Sequence, residues 1–257
     1  MIVTTSGRAS EATKMRAQSF AKKHNIRYEP RKKRSITQLY QEATRILVFG
    51  EERDELFTEG SVEPFFFHPN MALIRYKRLL KGDQDPLLEI GSIQPGDSVL
   101  DCTLGRGADS IILSHGVGSK GSVTALEKQF DIHYITATGL ARYDEADPTF
   151  CEAMRRIQTH CTDAYTYLQD QQDASIDHIY LDPLFDAVIE ESTPFENLRT
   201  KASRDALTAE WVEEAKRVAK KSIILKGHYT SQLFERFGFE REVRKTSKFH
   251  YGVIRFG

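Results

Sequence analysis

The stretch Ser98-Val99-Leu100-Asp101-Cys102-Thr103-Leu104-Gly105-Arg106-Gly107-Ala108-Asp109-Ser110 restricts this chain to few folds. Val99 and Leu100 give a short apolar strand. Gly105 and Gly107 then permit a sharp turn with no side chain between the backbone and a ligand. A helix opens at Ala108, and a second apolar run, Ser122-Val123-Thr124-Ala125-Leu126, closes on Glu127. Strand, glycine turn, helix and a second strand ending in an acid make a nucleoside pocket, in which the acid accepts from ribose hydroxyls.

The residues around the turn choose between nucleosides. A dinucleotide fingerprint needs a third glycine and a helix N-terminus facing a pyrophosphate. Here Ser110 takes the place of that glycine, and Asp109 puts a repelling carboxylate in the first helical turn. Asp101 lies four residues before Gly105 and completes a D-x-x-x-G-x-G pattern typical of S-adenosylmethionine-binding strands. That cofactor carries a sulfonium and an ammonium instead of phosphates, so acids suit it. The expected cofactor is S-adenosylmethionine.

From residue 98 onward strands alternate with helices, which argues a parallel sheet covered on both faces. Strands are expected at 122–128, 156–162, 176–181 and 222–228, and helices at about 108–115, 130–143 and 203–219. The segment around Asp147-Pro148 reads as irregular, and 239–246 with 249–256 as a closing β-hairpin. The expected fold is α/β: a Rossmann-like class I methyltransferase sheet, mostly parallel and seven-stranded, with a C-terminal antiparallel hairpin. Residues 1–90 read as a small basic α/β unit, and 91–257 as the cofactor-binding domain. In the first unit, strands are expected at 2–5, 45–49, 55–58 and 64–67, with helices capped by Ser10 and Ser35. Phe65, Phe66 and Phe67 read as core in preference to a base-stacking platform, and His68 as a loop residue.

In such a sheet, ligands sit beyond the C-terminal strand ends. Asp101, Glu127, Asp163 and Asp182 all fall there. Each alone suits an ordinary helix cap, but four in register point to a pocket. Asp101, Gly105 and Gly107 would lie near the methionine moiety and Glu127 at the ribose. Asp163 would take the adenine amino group, with a backbone N–H from Ala164. Asp182-Pro183-Leu184-Phe185 resembles the [DN]-P-P-[YFW] element found where the methyl acceptor is an exocyclic nitrogen. The lone pair of such an amine is delocalised into the ring. The Asp182 carboxylate or the Pro183 carbonyl can accept its N–H protons and localise the pair, while Phe185 stacks on the base. These three residues are the catalytic candidates.

Charge is balanced, at a formal −1 over 257 residues, so no global field marks a nucleic-acid partner. Residues 1–36 nevertheless hold ten Lys and Arg against Glu11 and Glu29. That arm is either a solvated face or a phosphate-tracking surface. Cys102, Cys151 and Cys161 form no C-x-x-C pair, and Cys102 and Cys161 read as buried strand residues. No metal site is assigned. No leader-like apolar stretch opens the chain and no run is long enough for a membrane span, so a cytoplasmic, membrane-free protein is expected.

Over residues 68–257 the chain resembles the RsmJ-type small-subunit ribosomal RNA guanine-N2 methyltransferases. The resemblance rests on several stretches: the turn from Asp101 through Asp109, Leu126-Glu127-Lys128, Asp182-Pro183-Leu184-Phe185, Lys226-Gly227 and the final strand. The basic helix after His68-Pro69-Asn70 is also similar. Thr103 stands where many methyltransferases have an extra glycine, Leu184 where the family often has Met, and Gly227-His228 where it has Arg-Pro. The resemblance implies cofactor contacts from Ala108, Asp109, Glu127, Lys128, Asp163, Ala164 and Asp182. It also implies a substrate grip by Arg75, Lys77, Arg78 and Lys226, with ribosomal RNA or the small ribosomal subunit as partner. A methyltransferase for another substrate class and a non-enzymatic RNA-binding protein remain the alternatives.

Overall fold

The computed structural model describes residues 1–145, 147–183, 207–245 and 247–256. The chain opens with β1 (Ile2–Thr5), α1 (Glu11–Lys23), β2 (Arg27–Tyr28), α2 (Ile36–Leu39), β3 (Arg45–Phe49), β4 (Glu55–Thr58) and β5 (Phe65–Phe66). These strands form a five-stranded sheet in the order β2-β1-β3-β4-β5. β1 runs parallel to β2 and β3, and the β3-β4-β5 edge is antiparallel. Ser10 caps α1 by accepting from the Thr13 N–H, and Ser35 and Gln38 form a reciprocal capping box on α2. β2 was not expected, because two residues carry no periodicity.

Two helices, α3 (Asn70–Leu79) and α4 (Pro86–Gly91), lead to the second sheet. Pro86 opens α4 at a position where its missing N–H costs nothing, and Asp85 caps it from the Leu87 N–H. Then follow β6 (Ser98–Asp101), α5 (Ala108–Val117), β7 (Ser122–Glu127), α6 (Phe130–Arg142), α7 (Pro148–Arg155), β8 (Gln158–Cys161), α8 (Ala164–Gln169) and β9 (Ile176–Leu181). The chain closes with α9 (Ala209–Val218), β10 (Ala219–His228), α10 (Leu233–Phe237), β11 (Glu240–Glu242) and β12 (Phe249–Arg255). The second sheet has seven strands in the order β11-β12-β10-β9-β6-β7-β8. β12 runs antiparallel to β10 and pairs with β11, as expected of the terminal hairpin.

Two local expectations are corrected. Asp147-Pro148 is not irregular: Asp147 accepts from the Thr149 and Phe150 N–H groups, and Pro148 is the first residue of α7. Cys161 is not buried but exposed, because β8 is the sheet's edge and its residues lack cover.

The large sheet is buried on both faces, which explains its apolar central strands. On one face Leu100, Ile179 and Ile223 pack with Val212 and Phe234. On the other, Val99, Ile112 and Ile135 join a cluster that extends to Val3, Phe49 and Phe67 of the N-terminal region. There the Phe67 ring lies on Gly139 so closely that a Cβ would fall 2.0 Å from it. Arg45 adds polar ties, to Asp131 at 2.6 Å and to Gln129 at 3.0 Å.

Candidate cofactor and methyl-transfer site

The sheet reverses its direction of growth between β6 and β9, and the crevice beyond their C-terminal ends is where α/β folds place ligands. Asp101 ends β6 and Asp182 follows β9. Thr103 joins them: its Oγ1 accepts from the Asp182 N–H at 3.0 Å and donates to Asp101 Oδ1 at 3.2 Å.

Asp101 is 1% exposed. Its carboxylate accepts from the Thr103 N–H at 2.9 Å and from the Ser110 hydroxyl. It therefore organises the turn from inside, and Ser110, noted in the sequence only for not being glycine, is its partner. Burial pushes the Asp101 carboxyl up to about 7. A folded-state value above the unfolded one favours folding at low pH, and that contribution is lost as pH rises through about 7. Asp101→Asn removes the titration. Its unfolding free energy relative to the parent, read from denaturant melts, is expected to climb between pH 4 and pH 7, at roughly 1.4 kcal/mol per pH unit at most. A pH-independent difference would show that Asp101 is ionised throughout.

Gly105 and Gly107 have φ of 48° and 76°, in the left-handed region that disfavours side chains. A Cβ on Gly107 would also sit 3.3 Å from Thr136 Cγ2, whereas the space over Gly105 is open, with the Thr103 carbonyl nearest at 3.8 Å. The Thr136 hydroxyl donates to the Gly105 carbonyl at 2.6 Å and braces the turn from α6. Ala108 is the first residue of α5. Glu127, at the end of β7, accepts from the Gln129 N–H at 2.9 Å and the Gly105 N–H at 3.3 Å. Burial raises its carboxyl pKa. A carboxylate has room for about four donors, so ribose hydroxyls can still be received. Asp163 caps α8 before the buried Ala164 and pairs with Lys128 at 3.1 Å. Partial burial would raise the Asp163 carboxyl, but the Thr166 N–H and Lys128 hold it below the ordinary range. Open space over Gly105 and the Glu127 and Asp163 carboxylates at two neighbouring strand ends fit S-adenosylmethionine, a cationic nucleoside.

Behind the turn lies a charge network that the sequence did not disclose. Lys226 Nζ is 2.8 Å from Asp109 Oδ2 and 2.9 Å from Asp182 Oδ2. The Tyr180 hydroxyl donates to the same Asp109 oxygen at 2.9 Å, and Arg75 pairs with the other. Burial alone would raise the Asp109 carboxyl, but Lys226 and Arg75 hold it far below the carboxylate range. Burial likewise works against the Lys226 ammonium, yet Asp109 and Asp182 keep it well above the ordinary lysine range. Arg75 is bidentate to Asp85, with both contacts at 2.8 Å. Its guanidinium thus points inward, and the expectation that it grips substrate from the surface is corrected. Lys77 and Arg78, also on α3, are exposed. Pro183 is buried beside Asp182, while Phe185 and the loop 186–200 lie outside the described residues. Among the described residues no group of His, Cys, Asp and Glu is placed to hold a metal, and no helix is long and apolar enough to cross a membrane.

The family described as "Putative SAM-dependent methyltransferase" matches residues 31–249. A Bacillus subtilis protein named only "Uncharacterized protein YpiP" is 42% identical over 254 residues, covering 98% of each chain. Ribosomal RNA small subunit methyltransferase J of Psychrobacter cryohalolentis is 30% identical over 158 residues, 58% of this chain and 51% of that protein. The crystal structure of a SAM-dependent methyltransferase from Neisseria gonorrhoeae superposes with a TM-score of 0.64. It is 17% identical and covers 99% of this chain and 96% of that one, a likeness of fold.

Proposed function

The chain belongs to the family of S-adenosylmethionine-dependent methyltransferases, and from that premise we propose that it methylates the exocyclic N2 of a guanine in small-subunit ribosomal RNA. The observation that carries the choice of an amine acceptor is the Asp182-Pro183 strand end, held at the switch point by Thr103 and Lys226. A carboxylate there can accept the N–H of an aromatic amine, so that the nitrogen lone pair is no longer spread into the ring. When bound, S-adenosylmethionine supplies a methyl group already activated by its sulfonium. The nitrogen gains the methyl and must lose one proton, for which Asp182 is the acceptor in reach. Lys226, kept charged by its two carboxylates, orients Asp182 without competing for that proton. Most of the rate enhancement then comes from positioning and electrostatics.

Ribosomal RNA as substrate is supported by the partial relative from Psychrobacter cryohalolentis, although this chain spans only about half of that protein. The cytoplasm is the compartment such a substrate requires. The test uses the purified chain, methyl-labelled cofactor and unmodified small-subunit RNA, offered both free and as assembled subunits. Digestion to nucleosides is expected to yield label in N2-methylguanosine. Label in another base, or none in RNA but incorporation into protein or small molecules, would assign a different substrate class.

A further inference from the structure

We propose that Arg53, Phe66, His68 and Arg106 form a track for single-stranded RNA that ends at the glycine turn. The inference rests on the RNA reading above and gives it a surface. The four side chains make a continuous strip. The Arg53 guanidinium lies 3.7 Å over the Phe66 ring centroid, and the Phe66 and His68 rings are 5.1 Å apart. His68 Nε2 is 2.6 Å from Arg106 Nη1, and Arg106 belongs to the turn between Gly105 and Gly107. The strip therefore begins on the N-terminal sheet and reaches the cofactor turn.

Strand alternation makes the strip available. Phe65 and Phe67 are 5% and 8% exposed and serve the core, as expected, while Phe66 between them turns outward and is only half-buried. β5 is the edge of its sheet, and the Arg53 side chain is 53% exposed. Arg53 also holds Glu55 at 2.8 Å, an exposed pair that a phosphate can displace. Beside it, a cavity of about 140 Å³ is bordered by Arg53, Phe67, Arg142 and Tyr143. Arginine can only donate, so His68 Nε2 accepts and Nδ1 carries the hydrogen. Among the described residues that Nδ1 has no hydrogen-bond partner, and it is buried beneath the strip, so the groups offered at the surface are the Arg53 guanidinium and the half-buried Phe66 ring. Burial, with Arg106 and Arg53 nearby, keeps His68 neutral.

The basic arm is a poorer candidate. Arg34 pairs with Glu29 at 2.9 Å and with Glu42, Arg27 shares both of those acids, and Arg16 is bound to Asp54 at 2.7 Å. Three of the arm's five guanidinium groups are thus already paired with acids, two of these three at side chains less than a third exposed. Alternating guanidinium planes and aromatic faces suit unstacked bases and their phosphates, which duplex RNA does not offer.

The test measures fluorescence anisotropy of a labelled single-stranded RNA of mixed sequence, titrated with the full chain. Phe66→Ala is expected to weaken binding roughly tenfold, the usual effect of losing one stacked base. Arg53→Gln should weaken it and reduce the salt slope by about one. S-adenosylhomocysteine affinity, measured in parallel, should stay unchanged and shows that each variant is folded. Phe66→Leu keeps the packing without the ring face, and should reproduce the loss if Phe66→Ala fails to fold. RNA binding indifferent to these substitutions, or equal competition by duplex RNA, overturns the track while leaving the RNA reading intact. No RNA binding by the unaltered chain overturns both.

Discussion

Asp182→Ala is expected to lower the rate of methyl transfer by about 10²- to 10⁴-fold, the range for losing a positioned proton acceptor. The fall should appear in kcat, because in the proposed reaction Asp182 meets the acceptor nitrogen, and the proposed cofactor cradle lies mainly on other strands. Gly105, Glu127 and Asp163 stand at the ends of β6, β7 and β8, whereas Asp182 follows β9. S-adenosylhomocysteine should therefore still bind, with a modest loss. Asp182→Asn keeps an accepting oxygen but no charge, and should fall between the parent and the alanine variant. Single-turnover transfer and calorimetric titration of S-adenosylhomocysteine together make the check. Undiminished turnover in Asp182→Ala would remove this residue from the chemistry.

Lys226→Met should produce the largest loss of stability. The ammonium lies between Asp109 and Asp182, at 2.8 Å and 2.9 Å, and its side chain is 20% exposed. Removing one partner from a buried ion cluster leaves uncompensated charge, at a cost of about 3–5 kcal/mol. For a chain of this size that corresponds to a fall in melting temperature of about 10 °C. Arg75 would still face Asp109, whereas Asp182 would lose the ammonium at 2.9 Å. Combining Lys226→Met with Asp182→Asn removes one charge of each sign while Asp109 keeps Arg75, and should recover part of the stability. A single-variant melt within about 2 °C of the parent would show that the cluster is solvated and contributes little.

The same cluster shows why a pattern of residue types can locate a site without describing it. Asp101, Asp109, Lys226 and Arg75 were all singled out in the sequence, but as contacts for cofactor or RNA. In the fold Asp101 is turned into its own loop, towards Ser110 and Thr103. Asp109 is held by Arg75, Lys226 and Tyr180. Thr103 was noted only as the replacement of a glycine, and Tyr180 went unnoticed. A hydroxyl in a turn and a tyrosine in an apolar strand carry no signal of their own. Their partners are 79 and 71 residues away in the chain.

Local rules were enough where the governing interactions are local. Gly105 and Gly107 are required by backbone sterics, and both take positive φ. Apolar runs near residues 99, 123, 179 and 223 become the central strands because a sheet covered on both faces needs them. The carboxylates at the strand ends follow from that register. Local rules failed where neighbours in space decide. The exposure of Cys161 depends on β8 being an edge, and the inward turn of Arg75 depends on Asp85 and Asp109 meeting it from α4 and α5. By itself, then, the sequence determined the glycine turn, the order of the main strands of the large sheet and the places of the acids, since periodicity and glycine sterics act over a few residues. The tertiary structure alone decided which charges neutralise one another and which aromatic ring faces solvent, because Coulomb and packing energies depend on distances that chain order does not encode.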